Sequence, residues 1–373
     1  MKRLARKFLA IPLCFPVIAF AQQAGVPAGP IAQSPPGSVS ADQVPGLSQR
    51  SVPVPNGTEG RIKLDVVVTD KQGKTVSGLE LKDFTLLDNN QPVKILSFHE
   101  FGGTDRKTDP PVEVILLVDT VNVDFKYVSF VRQEIERYLT RNGGQLAHPV
   151  SLFVYKNTGL DLGGRPSTDG NALAAVMSNL DNHLRVEGPS AGLNGAIEHY
   201  YASLKMIASI AQSEGGKPGR KLLIWAGPGW PMLNSPTLEV SPDAQRQNFA
   251  TIVALSTLLR QARLSVYDVS STDSGVGASA YRYFLKGVKS AAKSEPDDLA
   301  LKVLAIQSGG RVLGPDDNIA AQIDSAVEDA GGFYTITFDP PRADHANEYH
   351  ELKAVIGKPG LSARTNTGYY NQP

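Results

Sequence analysis

Nine residues, Pro111-Val-Glu-Val-Ile-Leu-Leu-Val-Asp119, constrain this chain more than any other stretch. An almost wholly apolar run that ends on a carboxylate has no face to offer water. It reads as a parallel strand covered on both sides, delivering Asp119 to its carboxyl end. In open α/β sheets that end is where ligands bind. The loop that follows, Thr120-Val-Asn-Val-Asp124, is therefore the first place to look for chemistry.

Around this strand the pattern alternates. Further strands are expected at 150–155, 221–225, 264–268 and 311–313, with a short antiparallel edge strand at 159–163. Helical periodicity covers 125–141, where Val128, Val131, Ile135 and Leu139 share a face. Asp169 caps a second helix with Leu173, Val176, Met177 and Leu180 inward, and a third carries Leu193, Ile197, Tyr200, Tyr201, Leu204 and Ile207. Ser241-Pro242 starts a fourth, a capping residue followed by proline at the first helical position. Two shorter helices are expected at 299–307 and 316–330. This alternation predicts an α/β fold, a doubly wound and mostly parallel sheet over 110–332. The segment 270–296, rich in Ser, Gly, Ala and Lys, reads as a mobile loop with a single helical turn.

The flanks follow a different period. Ile62, Leu64, Val66 and Val68 alternate with polar neighbours, and strand-like runs follow at 84–88 and 93–98. Forty residues with four strands cannot close a core alone. Similar runs recur at 332–338, 350–356 and 361–365, so residues 61–109 and 333–373 are expected to build one small antiparallel β-sandwich into which the α/β domain is inserted.

Residues 1–21 combine four basic residues, an apolar run and Ala19-Phe-Ala21, which together read as a secretory signal peptide. Residues 22–60 are rich in Pro, Gly, Ser, Ala and Gln and read as a disordered spacer. The single cysteine, Cys14, lies in the signal, so the mature chain is expected to carry no disulfide and no thiol nucleophile. Signal removal leaves 33 Lys and Arg against 37 Asp and Glu, which argues against nucleic acid as a partner. The expected location is periplasmic or extracellular, with no integral membrane segment in the mature chain.

Several ordered pieces carry a family resemblance: Leu64-Asp-Val-Val-Val-Thr-Asp70 with Gly73, Leu81-Lys-Asp-Phe84, Val114-Ile-Leu-Leu-Val-Asp119, Arg220-Lys-Leu-Leu-Ile224, Leu304-Ala-Ile-Gln-Ser-Gly-Gly-Arg311, and Pro359-Gly-Leu-Ser-Ala-Arg364 before Gly368-Tyr369. With the order of elements, they make the chain resemble the VWFA-related family of exported acidobacterial proteins, which is built on a von Willebrand factor A-like domain. The resemblance covers about residues 61 to 370. It implies a divalent-cation site assembled from an Asp-x-Ser-x-Ser loop, a Thr and a second Asp. Here Val121 and Val123 fill both serine positions, Ala191 the threonine position with Ser190 one residue earlier, and Pro228 the Asp position. One carboxylate of the set remains. The expectation is therefore no metal and no cofactor, with Asp119 capping the amides of its own loop. Thr120, Asn122 and Asp124 keep a shifted site open, since all three bear oxygen.

No Gly-x-Ser-x-Gly elbow or phosphate loop appears, so no catalytic residue is expected. His345 and His350, near Asp344, Glu348 and Glu351, could attract a cation or simply sit on a solvated loop. Trp225 reads as core; Trp230, between prolines, is open to two readings, a packed side chain or an exposed anchor for a partner. The chain is expected to be an exported, non-catalytic interaction or adhesion module that binds a protein or envelope polymer through Asp119, Thr120, Asn122, Asp124, Ser190 and Trp230. The alternative is an exported hydrolase using Asp119, Asp124 and Asp273 with the 270–296 loop, and a third reading is a structural component that pairs with its own copies through strand edges.

Overall fold

The computed structural model describes residues 60–102, 112–123, 125–162, 164–180, 192–233, 240–271 and 280–373. The expected signal and spacer lie outside them, Gly60 apart.

The chain enters through β1 (Ile62–Thr69), β2 (Phe84–Asp88), β3 (Gln91–Val93) and β4 (Ser97–Phe101). Then comes β5 (Glu113–Asp119), the apolar run identified above, and α1 (Phe125–Thr140). Left-handed backbone at Asn142, Gly143 and Gly144 stops that helix. The long β6 (Gln145–Lys156) turns back as β7 (Gly159–Leu162) and β8 (Ser167–Asp169), both antiparallel to it. In α2 (Gly170–Leu180) the Asp169 carboxylate accepts from the Ala172 amide, the expected cap. After α3 (Leu193–Gly215) and β9 (Lys221–Ala226), Ser241 caps α4 (Pro242–Gln261) by accepting from the Ala244 amide. The α/β part ends with β10 (Leu264–Val269), α5 (Leu301–Gln307), β11 (Arg311–Val312) and α6 (Ile319–Glu328).

These elements form a largely parallel seven-stranded sheet of order β11-β10-β9-β5-β6-β7, with β8 paired to β6. β5 lies between β9 and β6, and successive residues on it alternate between two cores. Ile115 and Leu117 face the core shared with α3 and α4; Val114, Leu116 and Val118 face the core shared with α1, α2 and α6. Both faces of the strand are sealed, which is why its sequence has no polar alternation. By the same parity Asp119 emerges on the side of Leu117, toward α3. Leu193, expected inward, is 39% exposed at the start of α3.

Residues 333–371 supply β12 (Phe333–Phe338), β13 (Glu348–Ile356), β14 (Ser362–Arg364) and β15 (Gly368–Asn371), the last not anticipated from sequence. They combine with β1 to β4 in two four-stranded antiparallel sheets, β14-β1-β12-β4 and β15-β13-β2-β3. Ile62, Leu64, Val66, Phe84, Leu86, Ile336, Phe338 and Leu352 fill the core between them. Val67 points the other way, into the α1/α2 core of the parallel sheet.

Two ionic clusters join the layers. Arg263 donates from Nε and Nη2 to both oxygens of Asp65 on β1, at 3.0 and 2.6 Å. Asp329, after α6, accepts from Arg364 of β14 at 2.8 and 2.9 Å and from the Tyr267 hydroxyl at 2.9 Å, while Arg220 binds its backbone carbonyl.

The stretch expected to be a mobile loop is partly built. Residues 280–299 hold three 3-10 turns, Ala280–Phe284, Ala291–Lys293 and Pro296–Leu299, and bury Ser294, Asp297 and Asp298. Residues 272–279, with Asp273, lie outside the described residues.

Candidate functional site

The carboxyl end of β5 is the natural place for a ligand, and its chemistry is turned inward. Oδ1 of Asp119 accepts the backbone amides of Val121 at 2.9 Å and Asn122 at 3.0 Å. Oδ2 accepts from Asn122 Nδ2 at 2.8 Å and from the Trp225 indole Nε1 at 2.9 Å. Asp119 is 1% exposed. Burial pushes its carboxyl above the usual carboxylate range, while the Asn122, Trp225 and Val121 donors pull it back down. Four donors match the roughly four lone-pair positions of a carboxylate. Asp119 thus caps its own loop, and it is pinned from the neighbouring strand as well.

The rest of the loop is committed in the same manner. The Thr120 hydroxyl donates to the Tyr155 carbonyl at 2.6 Å, and its amide donates to the same oxygen at 3.1 Å. Asn122 Nδ2 also reaches Ser203 Oγ on α3 at 3.2 Å. Oδ1 of Asn122 meets no donor among the described residues, a single oxygen where a hard divalent cation takes six or more. Val121, in a serine position of the implied cation loop, is buried in the apolar core. The loop after β9 closes against the carboxylate: a Cβ built on Gly227 would lie 2.7 Å from Asp119 Cβ. Asp124, Ser190 and Ala191 lie outside the described residues, so the site they were expected to share with Asp119 is not described. Among the described residues no group of three His, Cys, Asp or Glu side chains could hold a metal ion, and no helix is long and apolar enough to cross a membrane.

Trp230 is not an exposed anchor. It is 2% exposed, its Nε1 donates to the Leu299 carbonyl at 3.1 Å, and its ring meets Trp225 edge to face at 5.5 Å. Gly229, just before Trp230, has a left-handed φ of +74°, in a turn packed closely against Leu301. Tyr155, Trp225 and Trp230 form a continuous aromatic floor beneath the β5 loop. A sequence signal for part of this was available: an indole N–H at the end of a wholly buried strand must find an acceptor.

The two histidines of the suspected cluster differ in burial, though both stand near Glu348. His350 is buried on β13, where Nδ1 lies 2.8 Å from Asp88 Oδ1 and the Tyr369 hydroxyl donates to Asp88 Oδ2 at 2.6 Å. His345 Nδ1 lies 3.1 Å from the neighbouring Ala346 carbonyl, and the residue also stands near the Glu348 carboxylate. His350 sits on an inward position of β13, whereas His345 lies in the exposed turn before that strand begins.

Two depressions open near the carboxyl ends of the strands. One, of about 690 Å³, runs beside Val121 between the β6–β7 hairpin and α3, with Lys156, Thr158, Glu198, His199 and Lys205 along it. The other, of about 840 Å³, lies between Met232 and residues 280–298. Both are within the size of ligand sites.

No protein-family model matches the chain. No curated protein matches it. Among solved structures it is similar to the human COPII-coat protein Sec24c, at 11% identity and a TM-score of 0.33, over 74% of this chain and 46% of that one. It is also similar to proximal thread matrix protein 1 from the mussel byssus, at 10% identity and a TM-score of 0.33, over 60% of this chain and 49% of that one. The chain spans about half the length of these structures.

Proposed function

We propose that this chain is an exported, non-catalytic protein-interaction module, built on a von Willebrand factor A-like domain whose cation site has been replaced by internal hydrogen bonds. The observation that carries the reading is the saturation of Asp119 by Val121, Asn122 and Trp225. A carboxylate with its lone pairs filled by four donors has none left for a cation, and none for a role as base or nucleophile in hydrolysis. Recognition then falls to the shape and charge of the loops at the carboxyl ends of the strands, on a scaffold held rigid beneath. The leader and spacer of the sequence support delivery outside the cytoplasm.

Calorimetric titration of the purified protein with Mg²⁺, Mn²⁺ and Ca²⁺ tests the metal-free reading. Wild type and Asp119→Ala should both give heats of dilution only. Micromolar binding in the wild type that Asp119→Ala abolishes would overturn it.

A further inference from the structure

The depression beside Met232 differs from the rest of the molecule in its charge. Between Ala280 and Ser294 the chain carries Arg282, Lys286, Lys289 and Lys293 and no acidic residue, on a protein that is otherwise balanced between the two signs. Among the described residues no ion pair holds any of these four cations. Lys286, Lys289 and Lys293 line the cavity, whose apolar surface comes from Met232, Phe284 and Val288. Three carboxylates also border it: Asp297 and Asp298 are buried and bound to backbone amides, and Glu295 is exposed. Asp297 accepts the Leu233 amide at 2.7 Å, Asp298 the Glu295 amide at 2.7 Å, and Glu295 the Asp298 amide. Lys286, Lys289 and Lys293, all exposed, outnumber the one exposed carboxylate, Glu295.

The wall is preformed. The Tyr370 hydroxyl donates to the Val288 carbonyl at 3.0 Å, and Asn248 and Ser294 tie the same segment to α4. Gly287 lies directly on the Tyr349 ring, 1.9 Å from where a Cβ would be. A wall fixed before binding lowers the entropy lost on association.

Resting on the interaction reading above, we propose that this cavity receives an acidic peptide segment of a partner protein, one apolar side chain entering against Met232 and Phe284 and flanking carboxylates meeting Lys286, Lys289 and Lys293. The shape and the floor select a peptide. On the apolar floor of Met232, Phe284 and Val288 an apolar side chain of a peptide loses nothing where sugar hydroxyls would lose their hydrogen bonds to water, and a flat membrane surface does not fill a concavity. Tyr283, 86% exposed on the rim, adds an aromatic face for the flanking chain.

The test uses fluorescence anisotropy with a short labelled peptide, one phenylalanine flanked by aspartates and glutamates, against the same peptide flanked by lysines. Variants are the combined Lys286→Glu, Lys289→Glu and Lys293→Glu protein, and Met232→Arg, which fills the cavity while keeping its positive charge. All are surface changes, with folding checked by circular dichroism. The acidic peptide should bind, weaken at least about tenfold in each variant, and weaken further as salt is raised. The lysine-flanked peptide should not bind. Failure of the acidic peptide to bind, or tighter lysine-dependent binding of a polyuronate or of phosphatidylglycerol vesicles, overturns the proposal. Acidic-peptide binding that survives both variants overturns this site and leaves the interaction reading standing; cation binding through Asp119 does the reverse.

Discussion

The indole N–H of Trp225 donates to Oδ2 of Asp119 at 2.9 Å, across two adjacent parallel strands. One strand ends in an acceptor and its neighbour in a donor, both buried, so the pair ties the two strand ends together. Trp225→Phe keeps a ring in the core and removes the donor. It should cost about 1–3 kcal/mol, the usual penalty for an unsatisfied buried acceptor. Urea unfolding measures it. An unchanged midpoint would show that the bond contributes nothing, and a cycle with Asp119→Asn would isolate the coupling.

Asp329 gathers Arg364 from β14, Arg311 from β11 and the hydroxyl of Tyr267 from β10. Burial and the Asp329 carboxylate push the Tyr267 hydroxyl up to about 12, so it remains a donor at ordinary pH. Asp329→Ala strands these partners and should destabilise by about 3 kcal/mol. Because Arg364 loses the same contact, Arg364→Ala added to it should cost less than the two single effects summed. Additive losses in thermal unfolding would contradict a shared network.

Burial pushes the Asp298 carboxyl up to about 7, against the pull of the Glu295 amide. Unfolded, an aspartate titrates near 3.9. Between those values the folded protein binds more protons than the unfolded chain, so this group's contribution to stability is full below about pH 4 and is lost as pH rises toward 7. Asp298→Asn keeps an oxygen for the Glu295 amide and cannot ionise. Relative to wild type, its melting temperature should rise between pH 4 and pH 8; parallel curves would reject the assignment.

The Tyr349 ring is held between two glycines. A Cβ on Gly287 would come within 1.9 Å of it, and one on Gly368 within 2.4 Å of its hydroxyl. Gly287→Ala should therefore cost about 1–3 kcal/mol by overpacking. Tyr349→Leu should recover part of that loss in the double variant. A lowered melting temperature without such recovery would place the strain elsewhere.

Period and burial made the scaffold readable. β5 could be placed because a strand sealed on both faces leaves an unbroken apolar run, and the α2 and α4 caps because each rests on a bond within three residues. Sites decided by distant contacts were not readable. Trp230 is buried because the Leu299 carbonyl, 69 residues away, accepts its N–H. The 280–299 stretch has no helical or strand period, and its order comes from Tyr349 and Tyr370, which arrive with the last strands. The Asp119 cap on its own loop was readable, but the Trp225 bond depends on the register between β5 and β9.

Consider when each strand of the β14-β1-β12-β4 sheet comes into existence. β1 precedes every other described strand, yet its partners β12 and β14 follow all the strands of the parallel sheet. Until those partners are made, β1 has two open edges and waits for neighbours that do not yet exist. Such contacts close slowly and leave the chain exposed to mispairing. A polypeptide cut short anywhere before Phe333 would leave both edges of β1 without those partners.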